Sequence, residues 1–253
     1  MPQPNYFANA EVAARYERVR PFYHREVVAQ IARLAGVQRF RAALDVGCGT
    51  GKSSVALAEI AEHVTAIDSS AEMLSQAPAC ENITYRVGSA EQLQFADGSF
   101  DLITVGAALH WFDAARFYSE CRRVLVPGGQ LAIYNDHFTA HMRGNDEFKR
   151  WVRRRFLKRY RRPAKRMTDF DEDIAAQHEF RVVNKDAFEH LVPFSREEFA
   201  AYLLTHTNTL SVIEAGRETT EEAMEWLNAE LVPHVGDTPQ LFVFKCNLWL
   251  LGM

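Results

Sequence analysis

Residues 44–54 read LDVGCGTGKSS, and the order of residue types in this stretch decides the fold. Ala42 to Val46 is a short apolar run with an acid, Asp45, near its end; glycines then occupy alternate positions 47, 49 and 51. Lys52 to Ile60 reads as a helix leaving the turn. Glycine is needed where the backbone turns with positive φ and where a ligand must approach main-chain N–H groups.

Spacing separates the ligands such a loop can hold. A phosphate loop needs G-x-x-x-x-G-K-[ST]; Gly51-Lys52-Ser53 fits its tail, but Val46 stands where its first glycine belongs. A dinucleotide loop needs G-x-G-x-x-G; counted from Gly47 the third glycine falls one place early, and position 52 is lysine. What remains is an acid followed by G-x-G-x-G. The Asp45 carboxylate repels pyrophosphate and suits a cationic group, such as the ammonium of a sulfonium amino acid, held directly or through water.

Working outward, strand and helix patterns alternate, the mark of a parallel sheet covered by helices. Upstream, Ala10 to Val19 and Pro21 to Gly36 read as helices. Downstream, strands are predicted at His63–Asp68, Ile83–Val87, Asp101–Gly106 and Gln130–Tyr134, with helices at Ser70–Gln76 and Asp113–Leu125 and a turn at Pro127-Gly128-Gly129. Asp101–Gly106 is apolar almost throughout, which predicts a central strand buried on both faces. After Asn135 the rhythm changes: His137 to His178 reads as helical and charged, without a strand. Alternation returns at Ala187–Phe194, followed by helices at Ser195–Leu204 and Thr219–Leu231 and a final strand at Gln240–Leu251.

With 253 residues, 47% hydrophobic and 25% charged, the chain is long enough for one large domain, and disorder is excluded as its dominant state. No apolar run approaches the ~20 residues that cross a bilayer, and the first twenty residues lack the apolar core of a secretory signal. Cys48, Cys80, Cys121 and Cys246 lie far apart with no CxxC pair, which predicts no disulfide framework and no metal site, and points to the reducing cytoplasm. A net charge of -4 gives the whole molecule no polyanion-binding character. The charge is uneven, however: Lys149 to Arg166 (KRWVRRRFLKRYRRPAKR) holds eleven basic residues and no acid, leaving 29 − 11 = 18 basic residues against 33 acidic ones elsewhere.

Asp68 ends the second strand, 21 residues past Gly47, where an acid can accept hydrogen bonds from both hydroxyls of a ribose. With the loop, it makes the sequence resemble the class I S-adenosylmethionine-dependent methyltransferases, from about Tyr16 to Tyr134. VGSAEQLQFADGSFDLI resembles the family's adenine-binding turn and fourth strand, VGAALHWFD the segment lining the methyl-transfer site, and RRVLVPGGQLAIY the helix-turn-strand after it. AARYERVRPFYHREVV is similar to the Y-x-x-x-R-P first helix of a subgroup that includes trans-aconitate methyltransferase-like proteins.

The resemblance implies an α/β fold: a Rossmann-like seven-stranded mixed sheet flanked by helices, forming one domain over residues 1–253. Residues 1–36 would be a helical lid, and 137–186 a helical insertion after strand 5 that covers the substrate. It implies S-adenosyl-L-methionine as cofactor, held by Tyr16, Arg20, Asp45, Gly47, Cys48, Gly49, Gly51, Asp68, Ser69, Met73 and Gly106. The acid expected at the adenine turn is Ser89 here, which leaves the backbone of Ala90 or the carboxylate of Glu91 to make that contact. His110 and Trp111 resemble the pair that orients the acceptor in small-molecule carboxyl methyltransferases; Tyr6 and Trp151 are further substrate candidates.

Methyl transfer is an in-line displacement, so alignment is the main task, worth up to ~7–11 kcal/mol. A carboxylate acceptor, with a reference pKa of ~4, needs no base, and His110 then serves as a hydrogen-bond donor. For a hydroxyl or amine acceptor His110 is the candidate base. Phe148, Val152, Phe156 and Tyr160 recur every four residues, so Asp146 to Arg162 reads as one amphipathic helix. Its charges form a solvated face partly balanced by Asp169, Asp171, Glu172 and Asp173, supply an arginine to an anionic acceptor, or track RNA. The last alternative would make the acceptor RNA; the absence of a separate RNA-binding module and the acidic remainder of the chain argue for a small molecule.

Overall fold

The computed structural model describes residues 7, 9–161 and 170–253. They divide into two compact units: Met1–Pro21, His137–Lys165 and Glu189–Lys245 form unit 1, while Phe22–Asp136, Arg166–Phe188 and Cys246–Met253 form unit 2.

The main element is a seven-stranded sheet, of which the first four strands lie wholly in unit 2. β1 (Phe40–Val46), β2 (Ala61–Asp68), β3 (Ile83–Val87), β4 (Phe100–Gly106), β5 (Leu125–Met142), β6 (Arg181–Phe194) and β7 (Gln240–Gly252) lie in the order β3-β2-β1-β4-β5-β7-β6. The pairs β3–β2, β2–β1, β1–β4 and β4–β5 are parallel. Strand order reverses between β1 and β4, and ligands of open α/β sheets bind at such a switch point, beyond the carboxyl ends of the strands. Period-2 alternation gives each strand two apolar faces: Leu44, Val46, Ile103 and Val105 pack in one cluster, Ala43 and Leu102 in the other.

α2 (His24–Ala35) and α3 (Lys52–Leu57) contribute to the second cluster, α5 (Ala114–Val124) to the first, giving three layers. α4 (Ala71–Leu74) and α8 (Glu172–Gln177) complete the helices of unit 2. α2 begins at His24, three residues later than predicted, and ends at Gly36 in the left-handed conformation. The predicted turn at Pro127-Gly128-Gly129 is a break in register, where pairing jumps from Phe100↔Leu125 to Leu102↔Gln130.

Unit 1 holds α1 (Ala10–Val19), α6 (Glu147–Trp151), a π turn (Val152–Phe156), α7 (Leu157–Arg159), α9 (Arg196–Leu203), α10 (Thr207–Glu214) and α11 (Thr220–Leu231). Its core is aromatic: Phe148, Trp151, Phe156, Phe194, Phe199, Tyr202, Phe242 and Phe244 are all buried in one cluster. Two predictions are corrected here. The stretch from His137 does not open as a helix, because β5 runs on to Met142; Thr139 Oγ1 donates to the Val243 carbonyl at 2.8 Å beside it. The single helix predicted over Asp146–Arg162 is interrupted by the π turn, and Arg162 itself lies outside the described residues, as do Lys165, Arg166 and Asp169. Among the described residues no helix is long and apolar enough to cross a membrane.

Candidate functional site

The carboxyl ends of β1, β2 and β4 carry the site residues of unit 2. Asp45 is wholly buried; its Oδ2 accepts from Ser53 Oγ at 2.6 Å and Ser54 Oγ at 2.7 Å, and its Oδ1 from Thr104 Oγ1 at 3.0 Å. Burial raises its carboxyl above the usual carboxylate range, while the three hydroxyls pull it back down. Asp45 therefore ties β1, the start of α3 and β4 together beneath the glycine turn, with no surface on the solvent.

In the turn, the N–H groups of Gly47 and Cys48 donate to the Ile67 carbonyl at 2.8 and 3.0 Å. Gly47 has φ +72°, and a Cβ there would stand 2.6 Å from Ala108 Cβ and 3.1 Å from Phe112 Cζ. The glycine turn and the segment after β4 thus touch at a point where only glycine fits. The Cys48 thiol is buried, and burial with the charges of Asp45 and Asp68 pushes its pKa well up. Gly51 is the N-cap of α3.

Asp68 closes the turn from β2. Its Oδ2 accepts from the Gly49 amide and its Oδ1 from the Ser70 amide, both at 2.8 Å, and the Ser69 amide also bonds to it. Burial raises its carboxyl against these bonds. Ser70 Oγ accepts from the Met73 amide at 3.1 Å and so caps α4, which sets buried Met73 with its Cε 3.1 Å from where a Gly49 Cβ would be.

Ala90 is buried, and Ser89 donates to the Glu91 carboxylate, whose Oε1 accepts from the Asp113 amide at 3.0 Å. Glu91 is thereby fixed to the N-cap of α5. Gly106 ends β4; His110 and Trp111 follow on the 3-10 turn Leu109–Trp111, ring centroids 5.1 Å apart. Trp111 is half-buried against the cluster that holds Leu109 and Phe117.

The remaining candidates lie in unit 1. Arg20 donates from Nε to Thr205 Oγ1 at 2.9 Å and from Nη2 to the Thr205 carbonyl at 3.1 Å, with its guanidinium 4.8 Å from the Tyr16 ring centroid and 5.1 Å from that of Tyr202. Trp151 is buried, its indole N–H donating to Glu230 Oε2 at 3.1 Å. Tyr6 lies outside the described residues. In the basic run, Arg155 pairs with Glu230, Arg159 with Glu218 and Arg150 with Glu147, while Arg153, Arg154, Lys158 and Arg161 are exposed. Among the described residues no group of three His, Cys, Asp or Glu side chains could hold a metal ion.

Sequence reasoning passed over one pair. His24, at the start of α2, and Tyr134, on β5, are both buried and linked by a 3.2 Å hydrogen bond between Nδ1 and Oη. Burial, with the nearby charge of Lys52, lowers the imidazole pKa to about 3. The partners are 110 positions apart, and no motif connects them.

Residues 44–133, which run from the glycine turn to β5, match the family model described as a methyltransferase domain. Over this stretch the chain is a methyltransferase domain, similar to the class I S-adenosylmethionine-dependent methyltransferases. A Dictyostelium discoideum protein described as a methyltransferase is 33% identical over 137 residues, 53% of this chain and 52% of that protein. The malonyl-[acyl-carrier protein] O-methyltransferase of Erwinia billingiae is 40% identical over 104 residues, 40% of this chain and 41% of its own. The match therefore spans about half the length of these relatives. A solved structure from Anaeromyxobacter dehalogenans, described as a type II methyltransferase, superposes with a TM-score of 0.70 at 25% identity, covering 91% of this chain and 97% of that one.

Proposed function

We propose that the chain transfers the methyl group of S-adenosylmethionine to a small-molecule acceptor, with a carboxylate or hydroxyl oxygen as the nucleophile. The single observation that carries this reading is the glycine turn held between two carboxylates, Asp45 beneath it and Asp68 bonded to the Gly49 amide. In this reading Asp68 accepts from the ribose hydroxyls, Met73 packs on the adenine, and Ser69, Ser89, Ala90 and Glu91 border the base. The backbone of Gly47, Cys48, Gly49, Gly51 and Gly106 frames the amino-acid end. Asp45 acts by holding the turn in shape.

His110 and Trp111 present the acceptor. As the oxygen–methyl bond forms, the sulfur–methyl bond breaks and the sulfur keeps its electron pair, leaving neutral S-adenosylhomocysteine. A carboxylate loses no proton in this step, so His110 serves as a donor that orients it. A hydroxyl acceptor gives its proton to the His110 imidazole.

Calorimetry with S-adenosylhomocysteine tests the donor; binding of a nicotinamide or triphosphate nucleotide in its place would overturn it. Incubation with labelled donor and a metabolite extract, followed by mass spectrometry, identifies the acceptor, and lability of the product in mild alkali marks an ester. Trp111→Ala should lower turnover by roughly 10²-fold while leaving donor affinity nearly unchanged. Unaltered turnover would remove Trp111 from the acceptor site.

A further inference from the structure

The pair that sequence reasoning passed over stands against the last residue of β4. Gly106 and Tyr134 are register partners across β4 and β5, and a Cβ on Gly106 would lie 2.6 Å from Tyr134 Oη, 2.7 Å from Cζ and 2.8 Å from Cε2. The phenol thus covers the Gly106 backbone so closely that no side chain fits between them. One residue on, Ala107 has φ +53°, a left-handed conformation that strains a residue bearing a Cβ, and its amide donates to the Tyr134 carbonyl at 2.8 Å. Ala108, next in line, is the residue whose methyl meets Gly47. On the far side of the phenol, His24 is stacked on Tyr23 at 4.3 Å between ring centroids and bonded to Tyr134 Oη at 3.2 Å.

A phenylalanine at position 134 would fill nearly the same space. The buried hydroxyl costs desolvation, and it is spent on a bond to the imidazole rather than on packing. Strained backbone persists where its surroundings over-determine it, and here those surroundings are the Tyr134 side chain above Gly106 and the Tyr134 carbonyl on Ala107.

We propose that Tyr134, its hydroxyl held by the buried imidazole of His24, is a positioning residue for the methyl donor: it fixes the bend at Gly106–Ala107 and, through Ala108, the seat of the glycine turn. This rests on the donor reading given above. The chain of contacts is continuous within unit 2, from His24 to Tyr134, to Gly106 and Ala107, to Ala108 and to Gly47, and it acts through the shape of the donor site.

Tyr134→Phe keeps the ring over Gly106 and removes the hydroxyl alone. It should weaken S-adenosylhomocysteine binding, read by calorimetry, by about fivefold to tenfold, and speed hydrogen exchange at residues 105–108 by about tenfold, with global unfolding little changed. His24→Leu should do the same, and His24→Asn, whose amide reaches near the place of Nδ1, should recover most of the loss. The double variant His24→Leu with Tyr134→Phe should be no weaker than either single one, since both remove one bond. Wild-type affinity and exchange in Tyr134→Phe, or additive losses in the double variant, would overturn the proposal. If the unsubstituted protein fails to bind S-adenosylhomocysteine, the donor reading falls on its own. The exchange measurement then still decides whether the pair holds the bend: faster exchange upholds that step, and unchanged exchange removes it.

Discussion

At the scale of single residues, the site depends on positions with no room to vary. Gly47→Ala must place a methyl 2.6 Å from Ala108 Cβ on a backbone with φ +72°. Both effects oppose it, so it should destabilise the protein by about 1–3 kcal/mol in urea unfolding and abolish donor binding by calorimetry. His24 has a different consequence. Its imidazole titrates at about 3 when folded and near 6.5 when unfolded, so between these values the unfolded chain binds the extra proton. Stability is then fully present above pH 6.5 and is lost as pH falls toward 3, by up to about 1.4 kcal/mol per unit. Urea midpoints measured at pH 6.5 and pH 5.5 should show the loss in the wild type, and His24→Asn should remove that part of the slope. The glycine turn and the place of Asp68 at the end of β2 were legible because each sits in a local string of residue types. The hydroxyl partners of Asp45 were less so: Ser53 and Ser54 are near in sequence, but Thr104 reaches it only because β1 and β4 are neighbours.

At the scale of elements, patterns of two and of about four carried most of the reading, and they failed where a period met a constraint. Buried residues at exact four-residue intervals drift by about 40° per step around a straight α-helix, which turns once in 3.6 residues. Phe148, Val152, Phe156 and Tyr160 are nevertheless all buried in one cluster, because the wider π turn at Val152–Phe156 takes the drift back. The same adjustment leaves Arg155 and Arg159, four apart, beside Glu230 and Glu218. The extension of β5 to Met142 was hidden by its polar residues, Asn135 to His137, which give no alternating signal. The helix starts, by contrast, were plain: Ser195 with Glu198 and Thr219 with Glu222 form capping boxes at α9 and α11. Thr219→Ala should cost about 1 kcal/mol, measured as a lower urea midpoint with an unchanged slope.

At the scale of the whole molecule, the parallel half of the sheet was readable from the alternation of patterns alone, while the division into two units was not. Unit 1 is assembled from three separated stretches of chain, and its aromatic core draws on helices and strand ends that no single window of sequence brings together. A donor that binds only the folded state stabilises it in proportion to its occupancy. S-adenosylhomocysteine at 100 times its dissociation constant should add about 2.7 kcal/mol, seen as a thermal midpoint raised by several degrees, and nicotinamide dinucleotides should add nothing. The burial of Cys48 has a practical corollary. Cys121 and Cys246 are buried too, which leaves Cys80, partly exposed, as the thiol that a maleimide dye reaches first. A label on Cys48 itself would have to enter the loop between β1 and α3, so its rate of attachment there, mapped by peptide mass, is a clock for how often that loop opens, and a tightly bound nucleoside would slow it.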